Sequence, residues 1–228
     1  MISNLSSDII AVPTSEVQPT TRFDVYLARN DTETRESQRL RYQILAGEMG
    51  AQISSNGSDC DIDHYDDYCQ HLLVRDVSTG KLVASTRLLG DCQALLAGGY
   101  YSTSEFDLGM LDHLPGRKLE IGRTCVASEY RSGAVIGLLW GGLARFVHAE
   151  GYDGGALAHG LYTEAKRKYS MEGLTVQPRN PLPIVDPSPS NQRLRMPPLL
   201  KAYFSLGVKV CGAPCWDKVL NCADVFIL

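Results

Sequence analysis

The chain has 228 residues, 44% of them hydrophobic and 21% charged, which is enough apolar material for one sizeable core or two small ones. A formal charge of -4 excludes a generally basic surface of the kind that binds nucleic acid. No apolar run approaches the roughly 20 residues that span a bilayer, and Met1 to Thr21 lacks the basic start and apolar stretch of a secretory signal. Seven scattered cysteines with no Cys-x-x-Cys pair predict reduced, mostly buried thiols in the cytoplasm rather than a disulfide framework or a zinc site.

Residues 1–21 are rich in Ser, Thr and Pro and read as a flexible leader; residues 22–228 read as one domain. Phe23 to Ala28 alternates weakly and predicts a first strand. Asn30 or Asp31 can cap a following helix that runs to about Gly47, with Leu40, Ile44 and Leu45 inward. A polar segment leads through Asp61, Asp63 and Asp66. His71 to Asp76 and Lys81 to Leu89 then read as a hairpin around Val77-Ser78-Thr79-Gly80. Residues 90–116 look irregular, with a short helix near Ser104 to Leu111. A strand follows over Leu119 to Val126, and the spacing of Val135, Leu138, Leu139, Leu143, Phe146 and Val147 predicts a buried helix ended by Gly151. Ala156 to Ala158 reads as a short strand and Thr163 to Tyr169 as a helix. Four prolines from Pro181 to Pro189 mark an extended loop. A last helix over about Pro198 to Leu206 precedes strands at Val208 to Cys211 and Ala223 to Leu228. This order predicts one α/β domain around a mixed, mostly antiparallel sheet.

The strand Leu119-Glu120-Ile121-Gly122-Arg123-Thr124-Cys125-Val126 carries a carboxylate and a guanidinium three positions apart. An unpaired buried charge costs several kcal/mol, so each needs a partner or a task. Alternation along a strand predicts that Glu120 and Arg123 emerge on opposite faces. Glu120, held between Leu119 and Ile121, is the candidate general base; its alternative is a structural partner of Arg123 or Arg87.

The element order resembles the GNAT fold of acyl-CoA N-acyltransferases. Within it, Arg41-Tyr42-Gln43-Ile44, Glu48-Met49-Gly50-Ala51, Asp61-Ile62-Asp63-His64-Tyr65-Asp66, His71-Leu72-Leu73-Val74, Thr86-Arg87-Leu88-Leu89, Glu120-Ile121-Gly122-Arg123 and Pro198-Leu199-Leu200-Lys201-Ala202-Tyr203 occur in the order and spacing of a narrower group. That group is the ornithine-acyl-ACP N-acyltransferases of ornithine-lipid synthesis, with the related N-acyl amino acid synthases and hemolysin-like GNAT proteins. The resemblance covers about residues 23–228. Arg41, Asp63, Asp66, Arg87, Glu120 and Arg123 are also similar in pattern to acyl-homoserine-lactone synthases, which lack the Tyr-x-x-x-Gly element and fit Glu48-Met49-Gly50 poorly.

The resemblance implies a splayed central strand pair with flanking helices, and transfer of a (3-hydroxy)acyl chain from acyl carrier protein to the α-amine of L-ornithine or another amino acid. The acyl-phosphopantetheine thioester is then a co-substrate, and no metal or other cofactor is expected. Glu120 would deprotonate the amine, and Arg123 would be a further catalytic residue. Tyr203, four residues before Gly207, would protonate the departing sulfur; its alternative is a helix aromatic in the core. Backbone N–H groups around Cys125, Val126 and Ala127 would hold the oxyanion and pantetheine. Asp61, Asp63 and Asp66 would hold the side-chain ammonium, and Arg41 or Arg87 the α-carboxylate; a calcium loop lacks its closing Glu. Arg131-Ser132-Gly133-Ala134-Val135-Ile136-Gly137 is a poor copy of the pyrophosphate loop of CoA enzymes, which favours a carrier protein met by Arg131 and Lys201. Leu138, Trp140 and Phe106 would line an acyl tunnel. The expected location is cytoplasmic, with peripheral contact to the inner membrane and no nucleic-acid partner. The non-enzymatic alternative is an acyl-carrier- or lipid-binding protein on the same fold.

Overall fold

The computed structural model describes residues 22–53, 57–131, 133–152, 154–158, 173, 175–182, 198–205, 207–220 and 222–228. Residues 1–21 and the helix expected at Thr163 to Tyr169 lie outside this set, as does most of the proline-rich loop. Six strands form the main sheet: β1 (Phe23–Leu27), β2 (Gln70–Asp76), β3 (Leu82–Gly90), β5 (Lys118–Val126), β6 (Gly154–Ala158) and β10 (Phe226–Ile227), in that spatial order. All neighbours are antiparallel except β5 and β6. A parallel pair needs a long crossover, which helix α4 (Ala134–Glu150) supplies.

Helix α1 (Asp31–Tyr42) starts at Asn30, whose side chain accepts from Glu33 N–H, and continues into a wider π-type turn over Gln43–Glu48. It lies on one face of the sheet, with Leu40, Ile44 and Leu45 in a small core beside Cys125. Helix α4 lies on the other face, where Val135, Leu139 and Phe146 join Leu72, Val74, Leu88, Leu119 and Ile121 in the main core. Gly142 lets α4 approach closely: a Cβ there would stand 2.6 Å from Val25 and 3.2 Å from Leu72. Gly151, at φ 67°, ends the helix as its pattern predicts.

Residues 90–116 hold more order than expected: α2 (Asp91–Leu96), α3 (Ser102–Glu105), β4 (Phe106–Asp107) and a 3-10 turn at Gly109–His113. β4 pairs with β7 (Gln177–Pro178), and Phe106 anchors a second small core with Phe226 and Cys211. Helix α5 spans Pro198–Ser205. The C-terminal segment differs from the two strands predicted at Val208 to Cys211 and Ala223 to Leu228. β8 (Cys215–Asp217) and β9 (Cys222–Asp224) form their own ribbon, and only β10 joins the main sheet. Val210 meets Ile227 in one isolated bridge rather than a named strand. Among the described residues no helix is long and apolar enough to cross a membrane.

Two irregularities in β5 build the site. First, β6 pairs with it only from Lys118 to Ile121, so the described ladder on that side stops there while β3 continues to Val126. Second, the β3 register steps between Arg87↔Gly122 and Ser85↔Cys125, leaving Arg123 and Thr124 opposite Thr86 alone. This is a β-bulge, and Arg123 takes a positive φ of 50° to make it.

Candidate active site

The bulge corrects the expectation that Glu120 and Arg123 part company. The extra residue breaks the two-residue alternation and turns the Arg123 guanidinium to the Glu120 side of the sheet. It lies 5.1 Å from the centre of the Tyr101 ring, and Glu120 accepts a bond from the backbone N–H of the same tyrosine. Arg87, Tyr101, Ser102, Glu120, Arg123 and Asp224 line one narrow cleft with about 30 Å³ of water-sized space. That suffices for about one water molecule.

Glu120 is held by neutral donors, not by an ion pair. Its Oε2 accepts from Tyr101 N–H at 2.8 Å; its Oε1 accepts from Ser102 N–H at 2.8 Å and from the Ser102 hydroxyl. The structural alternative, pairing with Arg123 or Arg87, is therefore not what holds it. An ionised carboxylate offers about four lone-pair directions. Three are taken, and one remains on Oε2 at the cleft.

The three aspartates do not supply the negative charge expected of them. Arg41 donates to Asp61 through Nε at 2.8 Å and to Asp66 through Nη1 at 2.8 Å, with Nη2 shared between Asp61 O and Asp66 Oδ2. Arg87 donates to Asp63 at 2.6 Å, and Arg123 stands 3.6 Å from Asp61 and 3.4 Å from Asp63. Three carboxylates thus meet three guanidiniums, which leaves no surplus to attract an ammonium. Burial raises the Asp66 carboxyl, but Arg41 outweighs it and brings the group down to about 2. Burial lowers the adjacent His71 to about 4, with Arg41 acting in the same sense, so the imidazole is neutral here. Arg41 is fully buried and fully engaged, so it cannot clamp a substrate carboxylate. Arg87 and Arg123 do reach the cleft, and Arg123 Nε is buried with no hydrogen-bond acceptor.

Three more carboxyl groups meet instead around Tyr101, in residues that local patterning passes over. The Tyr101 hydroxyl donates to Asp217 at 3.1 Å, and Glu105 and Asp224 share this corner. Burial, then Asp224 and Asp217, push the Glu105 carboxyl up to about 9. Asp217, Cys222 and Asp224 bring one ligand atom each to within 4.8 Å of one another. One sequence signal pointed here: Asp224 is a carboxylate inside the apolar run Ala223 to Ile227, the same anomaly that marked Glu120.

On the opposite face, Tyr203 is buried against Trp140, with ring centres 4.2 Å apart, and its hydroxyl is 3.4 Å from Thr124 Oγ1. Thr124 in turn is 2.7 Å from Thr86 Oγ1. Burial pushes the Tyr203 phenol up, so it keeps its proton. Glu120 and Tyr203 are therefore brought to the same stretch of β5 from opposite sides, without touching.

The backbone donors expected at Cys125, Val126 and Ala127 are placed differently. Ala127 N–H donates to Val83 O at 2.9 Å, and Cys125 pairs with Ser85, so both face β3. Alternation turns the Thr124 and Val126 N–H groups toward the side where the described β5–β6 ladder has stopped. Val126 is six residues beyond Glu120, roughly 20 Å along a strand, too far to hold an oxyanion formed beside that carboxylate. Burial pushes the Cys125 thiol up to about 12, which fits a bystander. Arg131 donates to Val126 O and pairs with Glu48 at 2.7 Å, while Lys201 is exposed on α5. The N-terminus of α4, at Gly133, has no side-chain cap. The expected acyl tunnel is not assembled: Phe106 belongs to the second core, and Leu138 is exposed.

Comparison with known proteins agrees with this architecture. Residues 40–141 match the acetyltransferase (GNAT) domain family. The structure is similar to that of FeeM, an N-acyl amino acid synthase from uncultured soil microbes, with a TM-score of 0.56, covering 90% of this chain and 89% of that one at 11% identity. The sequence is 30% identical to the L-ornithine N(alpha)-acyltransferase of Rhizobium meliloti, over 96% of this chain and 84% of the relative. It is 31% identical to the enzyme of that name from Agrobacterium fabrum, over 90% of this chain and 80% of the relative. The chain belongs to the L-ornithine N(alpha)-acyltransferase family.

Proposed function

We propose that this chain moves a (3-hydroxy)acyl group from acyl carrier protein to the α-amine of L-ornithine, giving a lyso-ornithine lipid. The acceptor comes from the relatives' names. The observation that carries the chemistry is the position of Glu120, in a water-sized cleft beside the last described pairs of the β5–β6 ladder. An α-ammonium entering the cleft gives a proton to the remaining Oε2 lone pair, directly or through the water; the cleft must widen to admit it. The freed nitrogen attacks the thioester carbon. With the proton relayed to Glu120 through water, Thr124 N–H, on the β5 edge past the described ladder and two residues nearer than Val126, receives the oxyanion. The C–S bond breaks, the thiolate takes a proton from Tyr203, which meets Thr124 from the α4 side, and the second proton shed by the attacking nitrogen returns through water to the phenolate.

The same gap accepts pantetheine as an added strand edge, with Val126 N–H as one donor. Arg131, Lys201 and the open N-terminus of α4 then meet its phosphate and the acidic carrier. Arg123, through Nε, is placed to take the α-carboxylate, with Arg87 beside it. No prosthetic group is required. The reading places the enzyme in the cytoplasm at the inner-membrane surface, where its product would partition.

Purified protein incubated with 3-hydroxyacyl carrier protein and ornithine should yield the N-acyl product by mass spectrometry. Product from acyl-CoA but not from the carrier would overturn the donor. Absence of product from either, with folded protein, would leave a carrier- or lipid-binding role instead.

A further inference from the structure

We infer that Asp217 and Asp224, with Glu105 beside them, form the pocket for the distal ammonium of the acceptor, and that Tyr101 sets its distance from the α-amine. The inference rests on the proposed diamino-acid acceptor and assigns its side-chain subsite to residues other than the aspartates of the arginine network. Tyr101 joins the two positions physically: its N–H bonds Glu120 and its hydroxyl bonds Asp217. An extended chain of four carbons, Cα to Cδ, separates the two amino nitrogens by about 6 Å, somewhat less than the reach of a tyrosine from backbone nitrogen to hydroxyl. Asp224 lines the same cleft as Glu120.

A second feature points to a ligand independently. The Arg123 side chain is only 9% exposed, it lines the same cleft, and its Nε–H has no acceptor. Its nearest carboxylate oxygen, on Asp61, is 3.6 Å away. A buried guanidinium N–H is costly to leave unmet, and the α-carboxylate of an amino acid entering a widened cleft is a group that satisfies it. The cleft then offers a cation donor for the carboxylate, a base for the α-amine and, one tyrosine length away, carboxylates for the second ammonium. Glu105 and Asp217 stand outside the ion pairs of Arg41, Arg87 and Arg123.

The test compares ornithine with norvaline, which has the same chain without the distal nitrogen, using the full-length protein and one acyl carrier protein. We expect kcat/KM for ornithine to exceed that for norvaline about tenfold to a hundredfold, the weight of one or two charge-assisted bonds. Asp224→Asn and Asp217→Asn should each cut that ratio about tenfold or more. Without donor, ornithine should raise the melting temperature of the wild type more than norvaline does. Equal use of both amines by the wild type overturns the subsite while leaving the acyltransferase reading intact; acylation of neither overturns that reading. Folded variants with an unchanged ratio overturn it too. So does Zn²⁺ alone binding to the wild type but not to Asp224→Asn, with the amine ratio the same in both, since the cluster is then a metal site.

Discussion

Glu120 combines two duties that one substitution separates. Its oxygens tie down Tyr101 and Ser102, while one lone-pair direction is left on a residue that lines the cleft. Glu120→Gln keeps the shape and removes the base, and it turns an amide NH2 toward backbone donors, at about 1–3 kcal/mol. Turnover should fall by at least about a hundredfold; near-normal rates in a folded variant would remove Glu120 from the chemistry. Arg41 is a contrasting residue, buried with every donor directed at Asp61 or Asp66. Arg41→Met strands both carboxylates and should cost about 3–5 kcal/mol in urea unfolding. Its sequence context, among residues that also resemble substrate-binding positions, gave no means of telling a clamp from a brace. That distinction depends on which side chains the polar segment Asp61 to Asp66 carries across α1.

At the scale of elements, the close seat of α4 on β1 and β2 makes a paired prediction. Gly142→Ala forces a methyl against Val25 and Leu72 and should destabilise the fold by about 1–3 kcal/mol. Gly141→Ala, one position round the helix, meets only the Arg145 side chain at 3.8 Å. It should stabilise by about 0.5–1 kcal/mol through helix propensity. Denaturation of the two variants would show opposite signs; equal effects would mean that α4 sits farther from the sheet. The helix periodicity of α4 was legible in the chain, since it buries Val135, Leu139, Leu143 and Phe146 at helical spacing, whereas β2 and β3 bury contiguous runs and α1 buries mainly polar side chains. The bulge at Arg123 was not, because a residue with φ of 50° leaves no mark on the apolar pattern of its neighbours. It decides the site all the same, by putting the guanidinium and the Glu120 carboxylate in one cleft.

The whole molecule carries a pH signature from its buried groups. His71 sits near 4 when folded against 6.5 in an unfolded chain, so the unfolded state binds the extra proton as pH falls from 6.5 to 4. Stability should drop over that window by up to about 3 kcal/mol. Asp66, held near 2, extends the loss from about pH 4 downward. Glu105 acts in the other direction: its raised value near 9 favours the folded state at low pH, and that contribution fades as pH rises from about 4.5 toward 9. Chemical denaturation from pH 4 to 9 should therefore show a maximum in the interior of the range, and His71→Gln should flatten its acid limb. An unaltered acid limb in that variant would locate the titrating group elsewhere.

By itself the sequence determined what depends on neighbours along the chain: the amphipathic periods of the helices, the 77–80 turn, the Gly151 stop and the anomaly of a carboxylate between Leu119 and Ile121. The ordered set of short motifs, from Arg41 to Tyr203, was enough to indicate the family. Only the tertiary structure decided which charges cancel. Asp61, Asp63 and Asp66 look like a surplus when read in a line, and they become neutral once Arg41, Arg87 and Arg123 arrive from three other elements. Glu105, Asp217 and Asp224 look isolated in the chain and become a cluster because β8 and β9 fold back beside α3. Electrostatic energy depends on separation in space and on burial, and neither is a property of spacing along the chain.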